Sequence, residues 1–215
     1  SDEKLEEFKS RFKEEKAKAQ HLAEQLSQAR KSTAKDFSHK VCEELRYLDM
    51  PHIEFVVEFT EVPLCEDGID TAEFLISANV GEAPKPITKI ASGGELSRIM
   101  LALKTIMANK DKVETMIFDE IDSGVSGRAA LKVASKLKEV SKGKQVLCVT
   151  HLSQLMAYAD THFLIEKAAK GGKTYTSVTP LGFEGRKQEI ARITSGGEIT
   201  DIQLKNAEEM LKSIN

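Results

Sequence analysis

Residues 91 to 95 read Ala-Ser-Gly-Gly-Glu, and 24 positions after Glu95 an apolar run ends in Asp119-Glu120, followed after a helix-length gap by Val149-Thr150-His151. Each segment could do chemistry. Gly93 and Gly94 at a helix start would let backbone approach an anion, and the first-turn N–H groups with the positive helix end favour a phosphate. A carboxylate pair closing a strand can hold a hydrated divalent cation and orient or deprotonate an attacking water. His151 follows the apolar stretch 146–149, at the carboxyl end of a strand, where α/β sheets place ligands. Plainer readings stand beside these. Ser92 with Glu95 makes a capping box, an Asp-Glu pair can close a solvated turn, and a lone histidine is usually structural. Capping does not require two glycines, each of which costs up to about 1 kcal/mol relative to Ala, so the pair points to another use. Order and spacing together make the signal.

Two look-alikes in the same chain sharpen it. Ser195-Gly196-Gly197-Glu198 repeats the tetrapeptide, but no acidic strand follows and Thr200 with Gln203 already offers a cap, so it reads as structural. The first copy leads instead into an apolar helix face, Leu96, Ile99, Met100, Leu103, Ile106 and Met107, and then into the acidic strand. Gly172-Lys173-Thr174 looks like the end of a phosphate-binding glycine loop. That loop needs a glycine where Lys167 stands and should open a helix, whereas residues 174–178 have strand character, so it reads as a hairpin turn. A nucleotide bound here would need its phosphate cradle from elsewhere.

The elements that must position these groups are legible as periodicities. Apolar positions at Phe8, Phe12, Ala19, Leu22, Leu26, Ala29 and Thr33 follow alternating steps of three and four, with Glu15 interrupting one seam position. This heptad pattern predicts a coiled-coil helix that slips to steps of four at Phe37, Val41 and Leu45 and ends near Asp49-Met50-Pro51. Forty helical residues would project about 60 Å and need a partner helix, the other reading being an amphipathic helix folded on its own domain. Residues 53–62 and 71–79 alternate as a hairpin around Cys65-Glu66-Asp67-Gly68. A loop with Pro84 and Pro86 follows, then a helix after Ser92, a strand near 113–119, a helix near 126–141 and a strand at 145–149. Strands at 162–166 and 174–179 join through Gly171-Gly172, and helices near 184–193 and 201–213 close the chain. Alternating strand and helix predict an α/β fold, with an arm over residues 1–49 and a lobe over 50–215.

Composition narrows the classes. With 40% hydrophobic and 30% charged residues, the 215-residue chain suits a soluble protein with a sizeable core. No apolar run approaches the roughly 20 residues of a membrane span, so no membrane partner is expected, and Ser1-Asp2-Glu3-Lys4 is too charged for a signal peptide. The start without Met suggests an excised fragment. Three cysteines, Cys42, Cys65 and Cys148, lack metal-like spacing and fit a reduced cytoplasmic setting. A net charge of -3 is no footprint of a stand-alone DNA-binding domain. The best local candidate for a DNA contact is Lys132, Lys136, Lys138, Lys142 and Lys144, though a solvated helix face is the favoured reading of it.

In chain order the three segments resemble the signature motif, Walker B and switch histidine of ABC-type ATPases, and residues 84–107 with the run Ile121-Asp122-Ser123-Gly124-Val125-Ser126-Gly127 look like the RecN family of SMC-like ATPases. The run departs from the Leu-Asp D-loop of most SMC proteins, and Thr115 is a mild departure from a fully hydrophobic Walker B strand. The resemblance implies the C-terminal lobe of an ABC/SMC-type head, entered by a descending coiled-coil arm and lacking Walker A. It implies ATP and Mg²⁺ as cofactors, with Asp119 holding the metal, Glu120 serving the attacking water, His151 contacting the γ-phosphate and Asp122 in the D-loop. Ser92, Gly93, Gly94 and Glu95 would bind the nucleotide of a second head. Implied partners are the Walker A-bearing N-terminal half of the same protein, a second head in a homodimer, and DNA. The implied role is repair of broken DNA in a cytoplasmic, nucleoid-associated setting, the fragment alone being inactive. The alternatives are a chromosome-organising SMC head, a transporter ATPase subunit, disfavoured by the arm, and a non-catalytic dimerisation scaffold, against which Glu120 argues.

Overall fold

In the computed structural model, residues 2–89, 93–107 and 112–214 are described, and the chain divides into two compact units, Ser1–Ala91 and Ser92–Asn215. The first unit is built on helix α1, Asp2–Tyr47. Its expected heptad seam is bare, with Phe8 and Phe12 65% and 69% exposed and Leu5, Leu22 and Leu26 also exposed. A neighbouring stripe, one residue further round, does the packing within the unit up to residue 34, and from Phe37 the expected positions do. Ala23, Ser27, Val41, Leu45 and the following Leu48 are buried, and Arg30, Ala34 and Phe37 half-buried between them.

That stripe meets an antiparallel sheet of β1 (Glu54–Cys65), β2 (Gly68–Ser77) and a short edge strand β3 (Lys85–Pro86), in that order. The register runs Phe55↔Ile76, Val57↔Phe74, Phe59↔Ala72 and Glu61↔Asp70, so the α1-facing positions change from apolar to acidic toward the hairpin tip. At the apolar end Phe37 packs against Phe55 and Phe74 with ring centroids 5.9 and 5.8 Å away. At the tip Arg30 Nη1 donates to Asp70 Oδ1 at 2.7 Å. The Ser27 hydroxyl, and then Arg30, hold the Asp70 carboxyl below the usual carboxylate range. Helix α1 ends in a Schellman motif. Met50 N–H bonds Leu45 O at 3.0 Å and Asp49 N–H bonds Arg46 O at 3.2 Å, with Asp49 left-handed at φ 67°.

The second unit alternates helix and strand: α2 (Gly93–Met107), β4 (Thr115–Phe118), α3 (Gly127–Ser141), β5 (Gln145–Cys148) and α4 (Ser153–Tyr158). β4 and β5 pair in parallel, Thr115↔Gln145 through Phe118↔Cys148, with α3 as the crossover that parallel pairing requires. Hairpin β6 (His162–Lys170) and β7 (Lys173–Leu181) turns through Gly171 and Gly172 at φ 59° and 75°, the paired left-handed geometry of a two-residue turn. Gly172-Lys173-Thr174 is thus a turn running into a strand. Helices α5 (Phe183–Ser195) and α6 (Asp201–Ile214) bury Ile190, Ala191, Ala207 and Leu211 with Met156 of α4 against them. The short helix α4 was not anticipated from periodicity.

Candidate functional site

The site assembles where β4 and β5 end. Beyond Phe118 the chain turns sharply: Glu120 is left-handed at φ 56°, its N–H donates to Asp119 Oδ1 at 3.0 Å, and Ser123 N–H closes back on Glu120 O at 3.0 Å. A non-glycine residue with this backbone is uncommon and persists where its surroundings over-determine it. The Asp119 and Glu120 side chains are exposed, whereas Ile121 and Asp122 are buried beneath them.

Asp122 joins this turn to the end of β5. Its Oδ2 accepts the Thr150 hydroxyl and the His151 backbone N–H, the latter at 3.0 Å, and lies 3.3 Å from His151 Nδ1. His151 is held at its backbone while its side chain stays 77% exposed. Together Asp119, Glu120, Asp122, Ser123, Thr150 and His151 bound an open cleft of ≈ 790 Å³. Below it, burial and then the carboxylates of Asp122 and Asp119 push the Cys148 thiol up to about 12, which keeps it protonated and unreactive.

Helix α2 packs against the turn that carries Glu120. Ser92 lies outside the described residues, as does the capping box it would form with Glu95. Gly93 and Gly94 open α2 and both approach the turn that carries Glu120, Gly94 against its backbone and Gly93 against the end of a side chain. A Cβ on Gly93 would stand 2.5 Å from Glu120 Oε2, and one on Gly94 would stand 2.7 Å from both Ser123 Cβ and Ser123 O and 3.1 Å from Glu120 O. One turn further along, the Ser97 hydroxyl donates to Asp119 O at 2.8 Å and buried Arg98 donates through Nη1 to Ser123 O at 2.9 Å. Glu95 is half-buried on the same helix turn.

The structure thus brings Gly93, Gly94, Asp119, Glu120, Asp122 and His151 together. Sequence reasoning missed Ser97, Arg98 and Thr150; the one hint was an arginine beside the apolar run of residues 99–103. The second Ser-Gly-Gly-Glu ends α5, with Gly196 left-handed at φ 61°, and the cap of α6 comes from Thr200, whose N–H donates to Gln203 Oε1 at 2.8 Å. The basic patch is largely engaged locally: Lys136 is buried against Glu139, Lys138 pairs with Asp160 and Lys144 bonds Val113 O.

Among the described residues no group of three His, Cys, Asp or Glu side chains gathers to hold a metal ion. The exposed Asp119 carboxylate at the cleft still suits Mg²⁺, which keeps several waters and takes one or two carboxylates with substrate phosphates.

No protein-family model matches the chain. It is 46% identical over 191 residues to DNA repair protein RecN of Halalkalibacterium halodurans, covering 86% of this chain and 34% of that protein. Against DNA repair protein RecN of Bacillus subtilis it is 45% identical over 206 residues, covering 88% and 36%. The chain therefore spans about a third of the length of the curated relatives it matches. In fold it is similar to an Smc head domain with a coiled coil and joint derived from Pyrococcus yayanosii, with TM-score 0.52 and 22% identity over 90% of this chain and 37% of that one. The fold is the expected one: an α/β lobe of an SMC-type head preceded by a long helix.

Proposed function

Because the chain belongs to the RecN family over the third of its relatives' length that it spans, we propose that it is the C-terminal lobe of an ATP-hydrolysing head acting in repair of DNA double-strand breaks. The observation that carries this reading is an acidic strand end and a histidine lining one cleft, with Asp122 bonded to the histidine turn and a glycine helix start packed on the turn that carries Glu120. Phosphoryl transfer asks mainly for positioning and electrostatics, and the residues divide accordingly. Glu120 orients or deprotonates the attacking water, and His151 contacts the γ-phosphate. Asp119 would hold Mg²⁺, which neutralises charge developing on the phosphates. Asp122 acts on the nucleotide through the His151 turn. Ser92, Gly93, Gly94 and Glu95 serve the ATP of a second head, so that two heads clamp two nucleotides, and engagement and release are coupled to gripping or tethering DNA.

The N-terminal half of the same protein would bring Walker A. In support, one face of the β4–β5 pair is apolar and bare: Ile117, Leu147 and Val149 are 71%, 42% and 53% exposed, whereas Met116 and Phe118 on the other face of β4 are buried. Parallel sheets occur almost only with both faces covered. The exposed seam of α1 likewise fits the returning helix of the same arm. No helix among the described residues is long and apolar enough to cross a membrane. The likeness to DNA repair proteins is what supports a place in the cytoplasm with the nucleoid.

The test mixes this chain with a separately made N-terminal half and measures ATP hydrolysis, with and without DNA, for wild type and Glu120→Gln. Turnover that needs both halves and falls about 10²-fold or more in Glu120→Gln is expected. Associated halves without turnover would instead favour the dimerisation scaffold.

A further inference from the structure

Gly93, Gly94, Ser97 and Arg98 occupy positions i, i+1, i+4 and i+5 of α2, one face of its first turn and a half. All four meet the turn that carries Glu120. The glycines approach closely enough that a Cβ would collide, and the two side chains donate to backbone carbonyls at the turn's two ends, Ser97 to Asp119 O and Arg98 to Ser123 O. Arginine is seldom buried, and Arg98 is 8% exposed on the helix that otherwise buries Ile99, Leu101, Ala102 and Leu103. Its contact with Ser123 O is a charge-assisted bond of 2.9 Å, stronger than one between neutral groups. Between these anchors Glu120 is held left-handed, and Asp122, two residues on, carries the connection to Thr150 and His151.

We propose that Arg98, with Ser97 beside it, is a positioning residue that ties the start of α2 to the Glu120 turn, so that a shift of the helix start moves Glu120 and, through Asp122, His151. The inference rests on the reading of Glu120 as the hydrolytic base and adds a direction to it. In that reading the start of α2 meets the nucleotide of the other head, while Glu120 serves its own. A rigid cis connection then lets engagement at one nucleotide set the geometry of hydrolysis at the other. Small displacements suffice, because misplacing a catalytic group by about 1 Å can cost on the order of 10²-fold in rate.

The experiment uses the complete two-lobed protein and compares wild type, Glu120→Gln, Ser97→Ala, Arg98→Ala and Arg98→Lys. Turnover is measured for each, and ATP affinity is measured separately in the Glu120→Gln background, where binding is read without hydrolysis. Arg98→Ala should lower kcat by about 10²-fold while ATP affinity stays within about two-fold, and Arg98→Lys, which keeps a charged donor, should recover part of the loss. Ser97→Ala should lower kcat less, again without a change in affinity. If Arg98→Ala does not fold, Arg98→Lys and Ser97→Ala decide the matter on the same two readouts. Normal kcat in the folded variants, or kcat and affinity falling together, overturns the tie while leaving Glu120 in its role. A wild type that turns over and a Glu120→Gln variant that does so equally well overturn the underlying reading of the base instead.

Discussion

Glycine to alanine inside a helix ordinarily gains up to about 1 kcal/mol, so Gly93 and Gly94 invert the usual expectation, each in its own way. At Gly94 the added methyl meets backbone, Ser123 O at 2.7 Å and Glu120 O at 3.1 Å, which cannot step aside without moving the turn. At Gly93 it meets Glu120 Oε2, the far end of a flexible side chain. Gly94→Ala is therefore expected to destabilise the chain by about 1–3 kcal/mol of overpacking, whereas Gly93→Ala should be near neutral in stability. Turnover of the complete protein should fall in both, since Gly93→Ala displaces the carboxylate that serves the water. Urea unfolding of the two variants beside their ATPase rates checks this, and equal stability losses would contradict the assignment of the obstacles. The glycines and the acidic pair were legible in the sequence because residue type itself carried the signal. Ser97 and Arg98 were not, because both bond to carbonyl oxygens, which every residue owns, and such an acceptor leaves no mark on the sequence.

For whole elements, periodicity located the hairpins, the β4–α3–β5 crossover and the long helix, and failed where an element was too short or its packing did not depend on apolar residues. Helix α4, Ser153–Tyr158, has six residues and no full period to display. On α1 the heptad seam was visible because Leu22 and Leu26 are large, but the stripe that buries itself against the hairpin tip is Ala23, Ser27 and Arg30, small or polar residues that pattern reading passes over. What fastens them is Asp70, buried on the hairpin and bonded by Arg30 at 2.7 Å. Arg30→Ala should therefore lower the melting temperature more than Arg30→Lys, which keeps a charge but loses the planar fork. The acid limb follows from the same group. Its partners favour the charged carboxylate and depress its folded-state pKa, so its contribution is present above the ordinary carboxylate value of 3.8 and is lost as pH falls through the folded value. Asp70→Asn should be less stable than wild type at pH 7, and the gap should close as the pH is lowered toward 2. Melting curves across that range read it directly, and a gap independent of pH would show that packing rather than charge holds the tip.

At the scale of the whole molecule the chain displays more apolar surface than an independent domain keeps. Ile117, Leu147 and Val149 lie bare beside the cleft, Phe163, Ile165 and Val178 on one face of the β6–β7 hairpin are each more than half exposed, and Leu5, Phe8 and Phe12 line helix α1. Single exposed apolar residues are ordinary; runs of them along a sheet face and a helix seam mark surfaces that another chain segment covers. The proposed N-terminal half would supply both covers, a lobe for the sheet face and a returning helix for the seam. Two consequences separate this from a merely sticky fragment. A hydrophobic dye should bind the isolated chain, and its fluorescence should fall on adding a stoichiometric amount of the N-terminal half but not on adding a second copy of this chain. Placing a charge on the bare face, Ile117→Lys, should leave the isolated chain folded, because that side chain is 71% exposed, yet weaken association with the N-terminal half by about 10-fold or more, the cost of burying one unpaired charge. Pull-down of the two halves with wild type and Ile117→Lys decides it. Undiminished association of the variant would mean that this face stays open in the complete head, and that the arm alone brings the two halves together.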